Sequence, residues 1–226
     1  MDSAIAPSPK RDVWLVPFEL AILMSLFIAD VYHHVFLSKT PYLFLLGWAS
    51  LRLRGMRWKD VGFTRPSSWK LALFVGLLAG LFIEAFELFI SQPLLARWTG
   101  KMPDLSAFSA VHGHLKIVVI YILLIWILAA FGEELVYRGY LMNRLAGLFR
   151  VRSRWVISVI VVAMIFGCSH TGQGSTGILE NIWDGFLLGA VYLACGRNLT
   201  AAIVAHGVTD TLDLLLMYLG KYPGIL

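Results

Sequence analysis

The chain has 226 residues, of which 58% are hydrophobic and only 15% are charged, and its mean hydropathy is +0.74. Soluble domains have about 45–50% apolar and about 25% charged residues, so an ordinary soluble domain, a disordered chain and a collagen-like chain are excluded. The net charge is +5, but the basic residues lie between apolar runs, which favours membrane topology over nucleic-acid binding. We therefore expect a protein of the lipid bilayer with no nucleic-acid partner.

Apolar runs predict about seven helices, since about 20 apolar residues cross the hydrocarbon core of a bilayer. The expected fold is all-α, a polytopic transmembrane helical bundle of about seven spans, in which the second run is short for a full crossing. The predicted runs are Trp14–Val35, Tyr42–Leu53, Leu71–Ile90, Leu115–Gly132 with a continuation to about Phe149, Trp155–His170, Ile178–Cys195 and Leu199–Leu219.

Basic residues are concentrated in alternate connections between these runs. Lys10 and Arg11 precede the first run, five basic residues lie in residues 54–70, four lie between the fourth and fifth runs, and Arg197 precedes the seventh. This excess predicts a cytoplasmic amino terminus and cytoplasmic even-numbered connections, with 54–70 as a structured cytoplasmic loop. The first run contains Pro17 and Glu19, which favours a retained anchor over a cleaved signal peptide.

Two adjacent carboxylates follow the apolar start of the fourth run. Glu134 and Arg138 are four residues apart, in the order that favours an ion pair on one helix face. Glu133 lacks that partner, and desolvation makes such a carboxylate a stronger base. We expect Glu134 to be structural and Glu133 to be chemical, and a solvated helix end at the cytoplasmic face is the alternative.

Histidines mark the fifth and seventh runs. His170 ends the fifth run, where it could cap the helix or act in chemistry. His206 and Asp210 are four residues apart and share a helix face, so they could bind a metal, hold a polar substrate group or form a hydrogen bond between helices.

Two further features of the spans are pairs of glycines and a pair of acidic residues. The glycine pairs Gly76/Gly80 and Gly185/Gly189 predict close helix packing within the molecule. Glu84 and Glu87 lie three residues apart on one face of the third run, and they would either line the cavity of Glu133 or contact another helix.

Three motifs occur in order along the chain: EExxxR over Glu133–Arg138, FxxxH over Phe166–His170 and HxxxD over His206–Asp210. This pattern resembles the CPBP family of intramembrane endopeptidases (CAAX protease and bacteriocin-processing, also called Abi). The resemblance covers about residues 115–215. It divides the chain into an N-terminal transmembrane region, 1–114, and a CPBP-like catalytic transmembrane core, 115–226.

The resemblance implies a helical membrane fold with a cavity open to the cytosol. It also implies hydrolysis of a membrane-tethered protein or peptide substrate. Glu133 and His170 would activate water, Glu134 and Arg138 would hold the site together, and His206 and Asp210 would face the developing oxyanion. Where the family has Asn, Asp210 donates a hydrogen bond only when it is protonated; otherwise it would orient His206 or help to bind a cation.

The sequence leaves the need for a cofactor open. Glu133, His170 and His206 could bind zinc or another divalent metal as a three-ligand catalytic site, or act without metal, with Glu133 as the base. The HExxH pattern of zinc peptidases is absent,. The metal-free mechanism is slightly favoured, because only one carboxylate of the first motif is unpaired.

Three alternatives to this mechanism remain. Ser175, in the loop Gly172–Gly177, could act as a rhomboid-like nucleophile with His206 as its base, although its spacing does not match that family. Buried acids, namely Glu19, Glu84, Glu87, Asp184 and Asp213, could form a proton-coupled transporter, although two matching halves are missing. A non-proteolytic membrane scaffold or bacteriocin-immunity protein is the third.

The compact size suggests a bacterial inner-membrane protein, for which a prenylated CAAX substrate is not expected. The oligomeric state is left open.

Overall fold

The computed structural model describes residues 9–32, 34–36 and 38–223. These ranges are largely helical and contain no β-strand, which confirms the all-α prediction. Their seven helices are α1 (Pro9–Val31), α2 (Thr40–Leu53), α3 (Trp69–Thr99), α4 (Leu115–Leu148), α5 (Arg154–Cys168), α6 (Gly174–Ala194) and α7 (Leu199–Tyr218). Each coincides with one predicted run, and short 3₁₀ turns occur at Trp58–Val61, Ser106–Val111 and Thr171–Gln173.

Helix α3 differs most from its predicted bounds, because it passes the expected end at Ile90 and continues to Thr99. Pro93 lies within it, and a proline removes a backbone donor and clashes with the preceding turn. A π-helical turn, Glu87–Ser91, directly precedes this position and widens the helix there. The helix then ends at Gly100, whose φ of 74° provides a left-handed cap,.

Three of the described helices, α3, α4 and α7, are long and apolar enough to cross a membrane, and the bent pair α5–α6 could provide a fourth span. Helix α2 has 14 residues and is about 21 Å long, shorter than the hydrocarbon core of about 30 Å. The described residues therefore support three or four spans in an integral membrane protein. The predicted count of about seven is not confirmed.

Glycines allow the helices around the site to pack closely. A Cβ atom at Gly76 would lie 2.8 Å from the Ala201 carbonyl oxygen, and one at Gly80 would lie 2.7 Å from that of Ala205. Helices α3 and α7 therefore meet backbone to backbone. On α6, a Cβ atom at Gly185 would lie 2.9 Å from Ala163 Cα of α5. Both glycine pairs thus serve packing within the molecule, as predicted.

The segment 54–70 is structured, as expected from its sequence. The Leu199 backbone N–H donates to the Gly62 carbonyl at 3.0 Å, and Asn198 Nδ2 donates to the Thr64 carbonyl at 2.9 Å. These bonds join the segment to the start of α7. Its cytoplasmic location remains a prediction.

Helix α1 is joined to α2 and α4 by a buried ion cluster. Glu19 forms ion pairs with Arg54 at the end of α2 and with Arg144 of α4, the latter at 3.3 Å. Glu19 was among the acids of the transporter hypothesis. It is paired in this cluster and does not line the cavity described below.

Candidate functional site

The first motif lies inside α4, in a π-helical stretch, Ile125–Met142. Such stretches widen a helix and often occur at functional sites. Glu133 and Glu134 are both buried there, with exposed fractions of 7% and 0%. Because they are adjacent, their side chains leave the helix in different directions and meet different partners.

Glu134 connects the first and third motifs. Its Oε1 accepts a hydrogen bond from Arg138 Nη1 at 2.6 Å and lies 2.9 Å from His206 Nδ1. The ion pair predicted from the four-residue spacing is thus present. The contact with His206 of α7 was not predicted, since the two residues are 72 positions apart.

Arg138 also contacts the helices on either side of it. Its Nη2 donates to the Gly185 carbonyl of α6 at 3.0 Å, and its guanidinium carbon lies 4.8 Å from the centre of the Phe166 ring of α5. A fully buried arginine with these contacts holds three helices around the site.

Glu133 has a different environment, as the sequence suggested. Its Oε1 accepts a hydrogen bond from Thr40 Oγ1 at 3.3 Å, and its side chain lines a cavity among the motif residues. Thr40 begins α2, so the N-terminal region contributes to the site. The unequal partners of Glu133 and Glu134 match the unequal roles expected of them.

His170 lies at the break between α5 and α6, where the chain bends by 61°. Its Nδ1 is 2.8 Å from the Phe166 carbonyl oxygen, an acceptor, so Nδ1 carries the hydrogen. The neutral ring then presents Nε2 as an acceptor. The bend is what brings this residue from a helix end into the site.

His206 lies between two carboxylates. Its Nδ1–H donates to Glu134 Oε1 at 2.9 Å, and its Nε2 lies 3.6 Å from Asp210 Oδ2. Each ring nitrogen thus has a carboxylate beside it, and in an imidazolium both nitrogens are donors. Asp210 is therefore placed to orient His206, one of the roles considered for it.

One cavity of about 240 Å³ is lined by Glu133, His170, His206 and Asp210. All four candidate catalytic residues therefore share a single space, although they come from three separate helical segments. The two residues predicted to support the site, Glu134 and Arg138, lie behind its wall. Ser175 is exposed at the start of α6 and does not line the cavity, so the serine-nucleophile alternative is not supported.

The three residues considered as metal ligands, Glu133, His170 and His206, line the same cavity. The Nδ1 of His206 faces Glu134 at 2.9 Å and its Nε2 lies 3.6 Å from Asp210; histidines that bind metals commonly donate their second ring nitrogen to a carboxylate in this way. Another group has carboxylate oxygens close enough together to hold a metal ion. Within the described ranges, these residues are Glu84, Glu87 and Asp213.

Two contributors to the site could not be assigned a role from the sequence. Phe166 is at the centre of the cluster, with its ring 4.8 Å from that of His170 and 6.0 Å from that of His206. It is the first residue of the FxxxH motif, so the motif marked its position but did not indicate what it does. Thr40 carried no signal, because it lies 93 positions from Glu133.

Comparison with known proteins agrees with the family resemblance. Residues 114–212 match the family model described as type II CAAX prenyl endopeptidase Rce1-like. The match covers under half of the chain, and no curated protein and no solved structure matches it. Residues 114–212 of this integral membrane protein are thus similar to the Rce1-like CAAX prenyl endopeptidases of the CPBP family, which confirms the resemblance and supports an intramembrane protease.

Proposed function

We propose that the protein is an endopeptidase that hydrolyses peptide bonds of membrane-tethered protein or peptide substrates, with water activated by Glu133 and His170. The observation that carries this proposal is the meeting of Glu133, His170, His206 and Asp210 around one cavity. The family similarity over residues 114–212 supports the same class of activity.

In the proposed reaction, Glu133 is the general base. Its carboxylate takes a proton from water as the water oxygen attacks the peptide carbonyl, and the same proton then passes to the departing amine. Thr40 holds one of its carboxylate oxygens. Glu133 is better suited to this role than Glu134, whose Oε1 is engaged by Arg138 and His206,.

His170 would position the attacking water. Because its Nδ1–H is directed at the Phe166 carbonyl, its Nε2 can accept a hydrogen bond from the water hydrogen that Glu133 does not take. The fixed ring orientation helps to hold the water for attack.

His206 would stabilise the oxyanion that forms on the substrate carbonyl. As an imidazolium it donates a hydrogen bond from Nε2, and Glu134 holds the ring through Nδ1. An oxyanion donor of this kind contributes about 10²–10³ in rate. Asp210, at 3.6 Å from Nε2, would act through the orientation and charge of His206.

This mechanism uses no metal step. The proposed roles account for both nitrogens of His206, whereas a zinc site would need one of them as a ligand. The glutamate-based mechanism is therefore the form of the enzyme that we propose.

The surroundings of the cavity suggest where the substrate comes from. Helices α3, α4 and α7, which contribute lining residues, are long and apolar enough to cross a bilayer, and a site among such helices suits a membrane-associated substrate. We place the cavity opening and the amino terminus on the cytoplasmic side of a bacterial inner membrane, from the distribution of basic residues. Residues 115–226 would form the catalytic core, and residues 1–114 would supply Thr40.

The test compares protein termini in host membranes that contain wild-type protein or Glu133→Gln at equal expression, measured by mass spectrometry. Asp60→Asn is the matched control, since it also replaces a carboxylate by an amide but at an exposed position in the 54–70 segment. Termini present with wild type and Asp60→Asn and absent with Glu133→Gln would establish proteolysis and identify the substrate. Identical termini in all three would overturn the proposal and favour a membrane scaffold or immunity role.

A further inference from the structure

A second group of carboxylates adjoins the cavity, about one helical turn beyond Asp210 of the proposed catalytic group,. Glu84 and Glu87 of α3 and Asp213 of α7 each place a carboxylate oxygen within 4.8 Å of the others. Glu84 and Glu87 are each only 5% exposed. Three acids at this separation, two of them shielded from water, repel one another strongly unless something neutralises them.

The residues lining the cavity offer little positive charge. Six of them carry carboxylates and two are histidines, and no lysine or arginine lies among the described residues that line it. The two histidines, His170 and His206, belong to the proposed catalytic group. The acidic group at Glu84, Glu87 and Asp213 therefore needs a different counter-charge.

The carboxylate of Glu84 lies beside that of Asp213, with no donor group next to it. Both of its oxygens are buried without a hydrogen-bond donor, and so is Asp213 Oδ1. Buried polar atoms in folded proteins almost always have a partner, and a bare one indicates an ion or a water. By contrast, Glu87 Oε1 accepts a bond from the Tyr222 hydroxyl at 3.2 Å.

A fourth acid outside this group gives an independent sign of a ligand. Glu180 of α6 is 4% exposed, lines the same cavity and has a buried Oε1 without a partner. Its carboxylate lies close to that of Glu87. Carboxylates from three helices thus converge with unsatisfied oxygens.

We propose that Glu84, Glu87 and Asp213 bind a hard divalent cation of the Mg²⁺ or Ca²⁺ class, with Glu180 beside it. Oxygen-only ligands favour these ions, whereas zinc prefers nitrogen and sulfur ligands. The site is separate from Glu133, His170 and His206. It does not depend on the proposed peptidase activity.

The position of the site indicates a structural role. Asp213 lies seven residues beyond His206 on α7, about 10 Å along the helix axis, so the ion is too far away to hold the attacking water. It would join α3 to α7 and remove the repulsion between their acids. Binding of the ion to the folded protein would then raise its thermal stability.

The experiment uses the full chain purified in detergent, with Mn²⁺ as the probe, and follows free Mn²⁺ by electron paramagnetic resonance. Wild type should bind one Mn²⁺ that Mg²⁺ or Ca²⁺ displaces. Glu84→Gln and, on the other helix, Asp213→Asn should each weaken binding by at least about tenfold. Glu133→Gln is the matched control, because it removes a carboxylate from the same cavity but outside the proposed site, and should leave binding unchanged.

The outcomes separate this proposal from a metal at the catalytic group. Loss of binding with Glu133→Gln and not with Glu84→Gln would overturn it and place the ion with the catalytic residues. Absence of Mn²⁺ binding at millimolar concentration would also overturn it, since protons would then neutralise the acids. Folding is checked by size-exclusion chromatography, and if one substitution prevents it, the other tests the site from the opposite helix. Proteolysis is not measured here, so a failed peptidase proposal leaves this result intact.

Discussion

Replacing Glu133 and Glu134 separately by glutamine should affect different properties of the protein, although the two residues are neighbours. Glu133→Gln should abolish hydrolysis and leave stability nearly unchanged. Glu134→Gln should destabilise the protein. The difference follows from their partners, since Glu134 neutralises a buried arginine whereas Glu133 accepts one hydrogen bond from Thr40.

The magnitudes follow from burial and geometry. Arg138 and Glu134 have 0% side-chain exposure and are 2.6 Å apart, and removing one partner of a buried ion pair costs about 3–5 kcal/mol. For a chain of this size that lowers Tm by about 6–20 °C. In Glu133→Gln the amide oxygen still accepts from Thr40, so no ion pair or hydrogen bond is lost and stability should change little, while loss of the base should reduce the rate by about 10²–10⁴.

The assay measures thermal unfolding of both variants in the same detergent, together with cleavage of a substrate identified from the membrane termini. The reasoning would be refuted if Glu134→Gln unfolded at the wild-type temperature, because the pair would then contribute no stability. It would also be refuted if Glu133→Gln retained activity, since another group would have to act as the base.

Four further predictions concern the oxyanion, the first carboxylate, helix packing and metal dependence. His206→Gln should lower kcat by about 10²–10³ with little change in KM, measured by steady-state kinetics on the same substrate. Thr40→Val removes the donor to Glu133 and should lower kcat/KM by about 2–10-fold, the equivalent of one hydrogen bond, at unchanged Tm. Gly76→Ala should destabilise the protein by about 1–3 kcal/mol through its clash with α7, whereas Gly172→Ala, with nothing within 4 Å of its Cβ position, should not alter the thermal unfolding curve. The zinc chelator 1,10-phenanthroline should leave cleavage unchanged, and EDTA should lower Tm by removing the proposed cation; loss of cleavage with phenanthroline would show that the chemistry needs a soft metal.

The positions of the helices were largely predictable from the sequence. Long apolar runs in a membrane protein form helices, because the backbone polar groups must be paired within the segment. All seven described helices therefore lie where the hydropathy predicts them. The ends were less accurate at α3, since the sequence does not show that a π-helical turn carries the helix past Pro93. The number of membrane crossings was not predicted in the same way. By length and composition, the described helices provide only three or four spans.

Local spacing also predicted part of the site. Glu134 and Arg138 are on one helix, so their four-residue separation is enough to predict their ion pair, and the three ordered motifs indicated the family. The roles of the side chains depended on contacts between helices. His206 meets Glu134 across 72 positions and Thr40 meets Glu133 across 93, and no local pattern encodes such distances.

The sequence by itself determined the membrane character, the helices and the motif residues, because hydrophobicity and helical periodicity are local properties of the chain. Only the tertiary structure decided that Glu134 also meets His206 of α7 and that Glu133 meets Thr40 of α2. It also brought Glu84 and Glu87 together with Asp213, through the glycine-mediated contact of α3 and α7. Electrostatic roles in a bilayer depend on which charges become neighbours after packing, and that is a property of the folded bundle.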